Sequence, residues 1–159
     1  MTKPPQVGDR TPDVPPELAP ALSESAATTR QRHGWRREYS ALGALHKWKQ
    51  TIDEIGQFRA YGSDDYQHLL SYRVALQEIL VTLLDLGHLQ ALRWLQKEVD
   101  QLDQDFLARS RVDEHGLILR SDKDNPAYWF LRRLPKDDNV VEHLRMIQPK
   151  EDHGQQPPT

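Results

Sequence analysis

A leucine-rich stretch from Asp64 to Arg109 constrains the fold of this chain more than any other feature. Its apolar residues recur at three- and four-residue steps, which is the period of an α-helix, and many of its polar residues are charged side chains suited to a solvated face. Gly87-His88 divides the stretch into two runs, because glycine permits a tight turn between helices. The pattern predicts a helical hairpin, with one long helix bent at Gly87 as the alternative.

The two runs of this predicted hairpin carry different amounts of apolar surface. The first run, from about Asp64 to Leu86, is apolar around more than one face, so several of its sides must be covered. We therefore expect it at the centre of a helical bundle or at an oligomer interface. The second run, from about Leu89 to Arg109, carries a single apolar stripe made of Leu92, Leu95, Val99, Leu102 and Phe106.

A third amphipathic helix is predicted ahead of the hairpin, from about Trp35 to Tyr61. Gly62 then suits a helix C-cap, and Ser63 suits the N-cap of the helix that follows. This long N-terminal helix and the hairpin predict an all-α fold with an antiparallel three-helix core over residues 35–112. The apolar stripe of the N-terminal helix consists of Trp35, Tyr39, Leu42, Leu45, Trp48, Ile52 and Ile55.

The chain is predicted to contain one helical domain, residues 35–149, between two disordered tails. Residues 1–34 contain six prolines and no periodic apolar pattern, and residues 150–159 are equally polar. Residues 113–149 are expected to form a short helical extension packed on the core.

Two short helices are predicted within that extension. One runs from Ala127 to Leu134, because proline favours the first turn of a helix and the proline at position 135 ends it. The other begins at Asp138-Asn139 and continues to Ile147. Its amphipathic pattern would pack it back onto the bundle through Val140, Val141, Leu144 and Ile147.

The composition excludes several classes of function. With 24 acidic and 21 basic residues the net charge is only −3, so no overall field directs the chain to nucleic acid or to a membrane. The absence of cysteine excludes disulfides, thiolate zinc sites, iron–sulfur clusters and a thiol nucleophile. The first residues lack the apolar segment of a secretory signal, and the densest apolar run, Val74 to Leu86, is too short and charged to span a bilayer. We expect a cytoplasmic protein without a membrane partner.

Catalytic motifs are missing from the sequence, which predicts that the protein is not an enzyme. There is no phosphate-cradling glycine loop and no serine on a nucleophile elbow. Of two candidate pairs of metal ligands, Asp65 with His68 and Glu142 with His143, only the first has helical spacing. The carboxylates of the predicted helix from Leu89 to Arg109, Asp103 among them, are expected on its hydrated face. We expect no cofactor, no metal and no small-molecule substrate. A polar pocket near His115 and Asp124 is the remaining enzymatic alternative.

An aromatic and arginine-rich segment near the C-terminal end is the first candidate binding site. Aromatic side chains and arginine are enriched at protein interfaces, and a short helix cannot turn all of them inward. The alternative is that Trp129, Phe130 and Leu134 close one end of the bundle. The candidate partner-binding residues are Tyr128, Trp129, Arg132 and Arg133.

A basic segment from Arg30 to Lys49 is the second candidate, and Glu38 is its only acidic residue. Clustered basic groups beside an aromatic ring can bind nucleic-acid phosphates, although Trp35 could equally begin a packed helix. The candidate nucleic-acid-binding residues are Arg30, Arg32, Arg36, Arg37, Lys47 and Lys49.

The function that these patterns favour is a non-enzymatic helical protein–protein interaction or assembly module, such as a small accessory subunit or regulator. Its partner would be another protein or a second copy of the chain. The alternative function is that of a nucleic-acid-binding accessory protein that uses the basic segment.

Overall fold

The computed structural model describes residues 13–55, 62–136, 141–142 and 145–146, and it is mostly helical, as the apolar spacing predicted. A single 3₁₀ turn, Pro16–Leu18, leads into the first helix. The helices within the described ranges are α1 (Ala19–His33), α2 (Ala41–Asp53), α3 (Gly62–Asp85) and α4 (Leu89–Ala108).

The predicted break within the leucine-rich stretch is a turn and not a bend. Gly87 has a φ of +77°, a left-handed conformation that glycine adopts without the steric cost paid by other residues. The N–H of His88 donates to the carbonyl of Leu83 over 3.0 Å and so closes the end of α3. The helices α3 and α4 then pack against each other and lie within two residues of the predicted boundaries.

The helix α2 is shorter than predicted, because the chain between Trp35 and Ser40 is not helical. Gly34, at a φ of +65°, ends α1, and Ser40 starts α2 by accepting a hydrogen bond on its side chain from the N–H of Gly43 over 3.0 Å. The predicted helix from Trp35 to Tyr61 is therefore wrong over its first turns. Its end, residues 56–61, lies outside the described residues.

The prediction of a disordered arm over residues 1–34 is wrong for its second half, where α1 packs against α3. The sequence did not predict α1, because most of the side chains that this helix buries are small. The buried residues of α1 follow helical spacing. Where α1 contacts α3, the Oγ1 atoms of Thr29 and Thr82 lie 2.7 Å apart. The buried residues of α1 are Leu22, Ser25, Ala26 and Thr29. Residues 1–12 and the predicted tail 150–159 lie outside the described residues.

A small antiparallel sheet that the sequence did not predict joins the end of the predicted core to the C-terminal extension. Strand β1 (Ser110–Val112) pairs with β2 (Arg133–Pro135), so that Arg111 lies opposite Leu134. The predicted helix from Ala127 to Leu134 is wrong: Trp129–Arg132 forms one 3₁₀ turn, after which the chain extends into β2. Three-residue strands are too short to show an alternating pattern.

The last predicted helix lies largely outside the described residues. Within it, residues 141–142 and 145–146 are helical. Val141 is buried and Met146 is exposed. The other predicted contact residues, Val140, Leu144 and Ile147, are not described.

A buried ion pair stands at the centre of the core. The Nε and Nη2 atoms of Arg73 donate to the two carboxylate oxygens of Asp103 over 3.0 and 2.8 Å, and the indole Nε1 of Trp48 donates to Asp103 over 3.1 Å. The guanidinium also lies 4.7 Å from the ring centre of Phe130. The prediction that Asp103 is hydrated is therefore wrong, because it lies on the buried stripe of α4 beside Val99.

Candidate functional site

A groove of about 670 Å³ lies between α3 and α4. The helical period brings residues from successive turns of each helix to the same face, so that two facing rows line the groove. The row on α3 consists of Gln77, Leu80, Val81 and Leu84. The row on α4 consists of Leu92, Arg93, Gln96, Lys97, Asp100 and Gln101.

The apolar part of this groove is exposed to solvent. The exposed fraction is 42% for Val81 and 58% for Leu84, and the half-buried Leu92 continues the apolar surface across to α4. Leu80 is buried beneath them. The helix α3 corresponds to the run that the sequence showed to be apolar on more than one face. Val81 and Leu84 are apolar side chains of this helix that remain exposed.

The α4 side of the groove carries unpaired positive charge. Within the described part of the chain, Arg93 and Lys97 form no ion pair. The carboxylate of Asp100, one turn further along α4, accepts a hydrogen bond from the amide of Gln96 over 2.8 Å. A basic rim therefore borders the apolar floor, and it would favour acidic groups on a bound molecule.

A second concavity, of about 400 Å³, is here called the arginine–tyrosine cleft. It brings together three parts of the chain: the end of α1 with the loop 34–40, one face of α3, and the loop that precedes β2. The residues that line it are His33, Trp35, Arg36, Arg37, Tyr39, Ser71, Val74, Arg120, Asp122 and Tyr128.

Asp122 is the one carboxylate among the residues that line this cleft, and it is already paired. Arg120 donates to the two oxygens of Asp122 over 2.9 and 2.7 Å, and these hydrogen bonds hold the pKa of Asp122 below its usual value. The carboxylate of Glu78 lies 3.1 Å from Nε2 of His33. Burial, and after it the negative charge of Glu78, together raise the pKa of the Tyr128 phenol to about 12.

The six basic residues proposed for nucleic acid lie in different places, and several of them are engaged by partners within the chain. Arg30 donates to backbone carbonyls, Arg32 pairs with Asp85 over 2.8 Å, and Lys49 pairs with Asp53 over 3.1 Å. Lys47 and Lys49 lie on α2 and do not line the arginine–tyrosine cleft, whereas Arg36 and Arg37 do.

The four residues proposed for a protein partner are largely used in internal packing. Tyr128 is buried, and Trp129 is half-buried with its ring centre 6.1 Å from that of Phe106. Arg133 donates to Oγ and to the carbonyl of Ser110 over 2.8 and 3.0 Å. Only Arg132 of the four is exposed. This packing favours the alternative in which the aromatic segment closes one end of the bundle.

In the described part of the chain, the residues of the other candidate sites are not brought together. Among the described residues there is no group of three or more histidine and carboxylate side chains that could hold a metal ion. His115 and Asp124 are both exposed, and neither lines the groove or the cleft. None of the described helices combines the length and the apolarity that crossing a membrane requires.

Comparison of the chain with protein-family models, with curated proteins and with solved structures found no match. The residues and their geometry are therefore what indicates a function.

Proposed function

We propose that this protein is a non-enzymatic protein–protein interaction module, and that its groove between α3 and α4 receives an amphipathic helix of another protein. We further propose that α2, α3 and α4 form the antiparallel three-helix core that presents the groove. The observation that carries the proposal is the exposure of Val81 and Leu84, nearly one turn apart on α3, beside the apolar surface of Leu92. A concave apolar surface between two helices is a common docking site for a third.

The charges around the groove define the kind of helix that fits. Arg93 and Lys97 lie one turn apart on α4, so a partner helix would carry acidic residues at the same spacing beside its apolar stripe. A second copy of the chain fits less well, because a two-fold dimer on this face would bring Arg93 and Lys97 of each copy to the interface with Asp100 as the one carboxylate among the lining residues.

A titration with a synthetic peptide tests this proposal. The peptide is an amphipathic helix with leucines along one face and a flank of glutamates, labelled for fluorescence anisotropy. We expect the peptide to bind the full chain saturably. Leu84→Asp should lower the affinity for the peptide about tenfold or more, because it places a carboxylate on the apolar floor of the groove.

The matched control is Leu119→Asp, which introduces the same change at an exposed leucine outside the groove. Both variants must keep the melting temperature of the parent. Equal binding of the peptide to Leu84→Asp and to the parent would contradict the proposal. Concentration-dependent dimerisation in light scattering that Leu84→Asp abolishes would assign the groove to a second copy of the chain.

A further inference from the structure

The arginine–tyrosine cleft shares no lining residue with the groove and carries an excess of positive charge. Its carboxylate Asp122 is paired with Arg120. Arg36 and Arg37, by contrast, form no ion pair with any carboxylate that the structure describes. Arg36 and Arg37 are therefore adjacent residues that both line the cleft and whose charges are not compensated by a described carboxylate.

The backbone that carries these two guanidinium groups is held in place. Arg30, at the end of α1, donates from Nε to the carbonyl of Trp35 over 3.2 Å and from Nη2 to the carbonyl of Arg36 over 3.0 Å. Gly34 ends α1 in the left-handed conformation that turns the chain into this loop. Arg30 thus acts on the cleft by positioning its wall, and a bound ligand would meet a loop that is already ordered.

The side chain of Arg37 is also fixed. Its guanidinium carbon lies 5.0 Å from the ring centre of Tyr39 and 5.7 Å from that of Tyr72, and Nη2 donates to the phenol oxygen of Tyr72 over 3.1 Å. Tyrosine rings orient the guanidinium without neutralising it, so most of its donors remain available. Tyr39, Tyr128 and Trp35 add aromatic walls to the same cleft.

We infer that the arginine–tyrosine cleft binds a small phosphate monoester that carries a planar ring, namely a nucleoside monophosphate. A phosphate monoester holds close to two negative charges at neutral pH, which two guanidinium groups compensate with paired hydrogen bonds. The aromatic walls suit a planar base. The cleft volume of about 400 Å³ falls within the range of about 300–1,000 Å³ typical of small-ligand sites.

Calorimetric titration of the full chain tests this inference with three probes: adenosine monophosphate, adenosine and inorganic phosphate. We expect one molecule of adenosine monophosphate to bind per chain, at least about tenfold more tightly than either of the other two. Arg36→Gln should lower that affinity about tenfold, because it removes one charged donor pair. Arg36 is exposed, so this variant should fold like the parent, as circular dichroism would verify.

Lys47→Gln is the matched control, because it removes one positive charge from the same basic segment outside the cleft. It should leave the affinity unchanged. Binding of adenosine as tight as that of the monophosphate would overturn the role of the arginines, and equally tight binding of inorganic phosphate would overturn the role of the aromatic walls. Tight binding of single-stranded RNA, weakened equally by both variants, would assign the whole basic segment to a polynucleotide and also overturn the inference.

Discussion

At the scale of single residues, the clearest departure from the sequence pattern is the burial of Asp103 and Arg73. Charged residues are almost never fully buried unless they are paired, and here each is the other's partner. Asp103 lies between Asp100 and Asp105 in the sequence, so hydration was the natural expectation, although Asp103 follows Val99 at helical spacing. Its partner comes from another helix, and a sequence pattern within one helix cannot reveal such a pairing.

Replacement of Asp103 by alanine should strongly destabilise the fold. The change leaves the guanidinium of Arg73 and the indole N–H of Trp48 buried without their acceptor. Loss of one member of a buried ion pair costs about 3–5 kcal/mol. Chemical denaturation should show this loss for Asp103→Ala, whereas Asp105→Ala, at an exposed carboxylate of the same helix, should change the free energy of unfolding by less than about 0.5 kcal/mol. Similar values for the two variants would contradict the buried pair.

Tyr128 should make the stability depend on alkaline pH. Its pKa is raised from 10.0 to about 12 in the folded chain, first by burial and then by the charge of Glu78. A group whose folded-state pKa is raised contributes stability that is complete below the unfolded-state pKa and is lost as the pH rises through the folded-state value. The parent should therefore lose more stability between pH 10 and 12 than Tyr128→Phe does. Melting temperatures across that interval provide the measurement, and parallel curves for the two proteins would contradict the assignment.

At the scale of elements, α3 and α4 were predictable because large apolar residues follow one period over many turns, with Gly87 between them. The helix α1 was not, because apart from Leu22 its buried face is made of alanine, serine and threonine, which resemble the composition of a solvated tail. The β1–β2 pair depends on contacts between residues far apart in the chain. Local pattern therefore failed where a segment is ordered by its tertiary neighbours and not by its own amphipathicity.

Adjacent alanines on α1 test whether this helix is part of the folded core. Ala26 is buried and Ala27 is exposed, so the same substitution at both positions changes the charge equally and the burial very differently. We expect Ala26→Asp to lower the free energy of unfolding by about 2 kcal/mol or more, because it buries an unpaired carboxylate. Ala27→Asp should have a small effect. If α1 were a solvated arm, denaturant titrations of the two variants would superimpose.

At the scale of the whole molecule, the groove and the cleft differ in how far the sequence could predict them. The groove lies on the helix whose excess of apolar residues the sequence revealed, so its general position was predictable, but the rim residues of α4 were not. The cleft combines Arg36 and Arg37 from the predicted basic segment with Arg120 and Tyr128 from a distant loop. Only the tertiary fold brings these side chains together, and the same fold separates them from Lys47 and Lys49.

The function proposed for the groove is recognition of an acidic amphipathic helix through its apolar floor and its basic rim. A charge-reversal experiment tests it most directly, by comparing one peptide flanked by glutamates with a second flanked by lysines. The parent chain should prefer the glutamate peptide by about tenfold, and the double variant Arg93→Glu with Lys97→Glu should prefer the lysine peptide. An unchanged preference in the double variant, with its fold intact, would contradict the account.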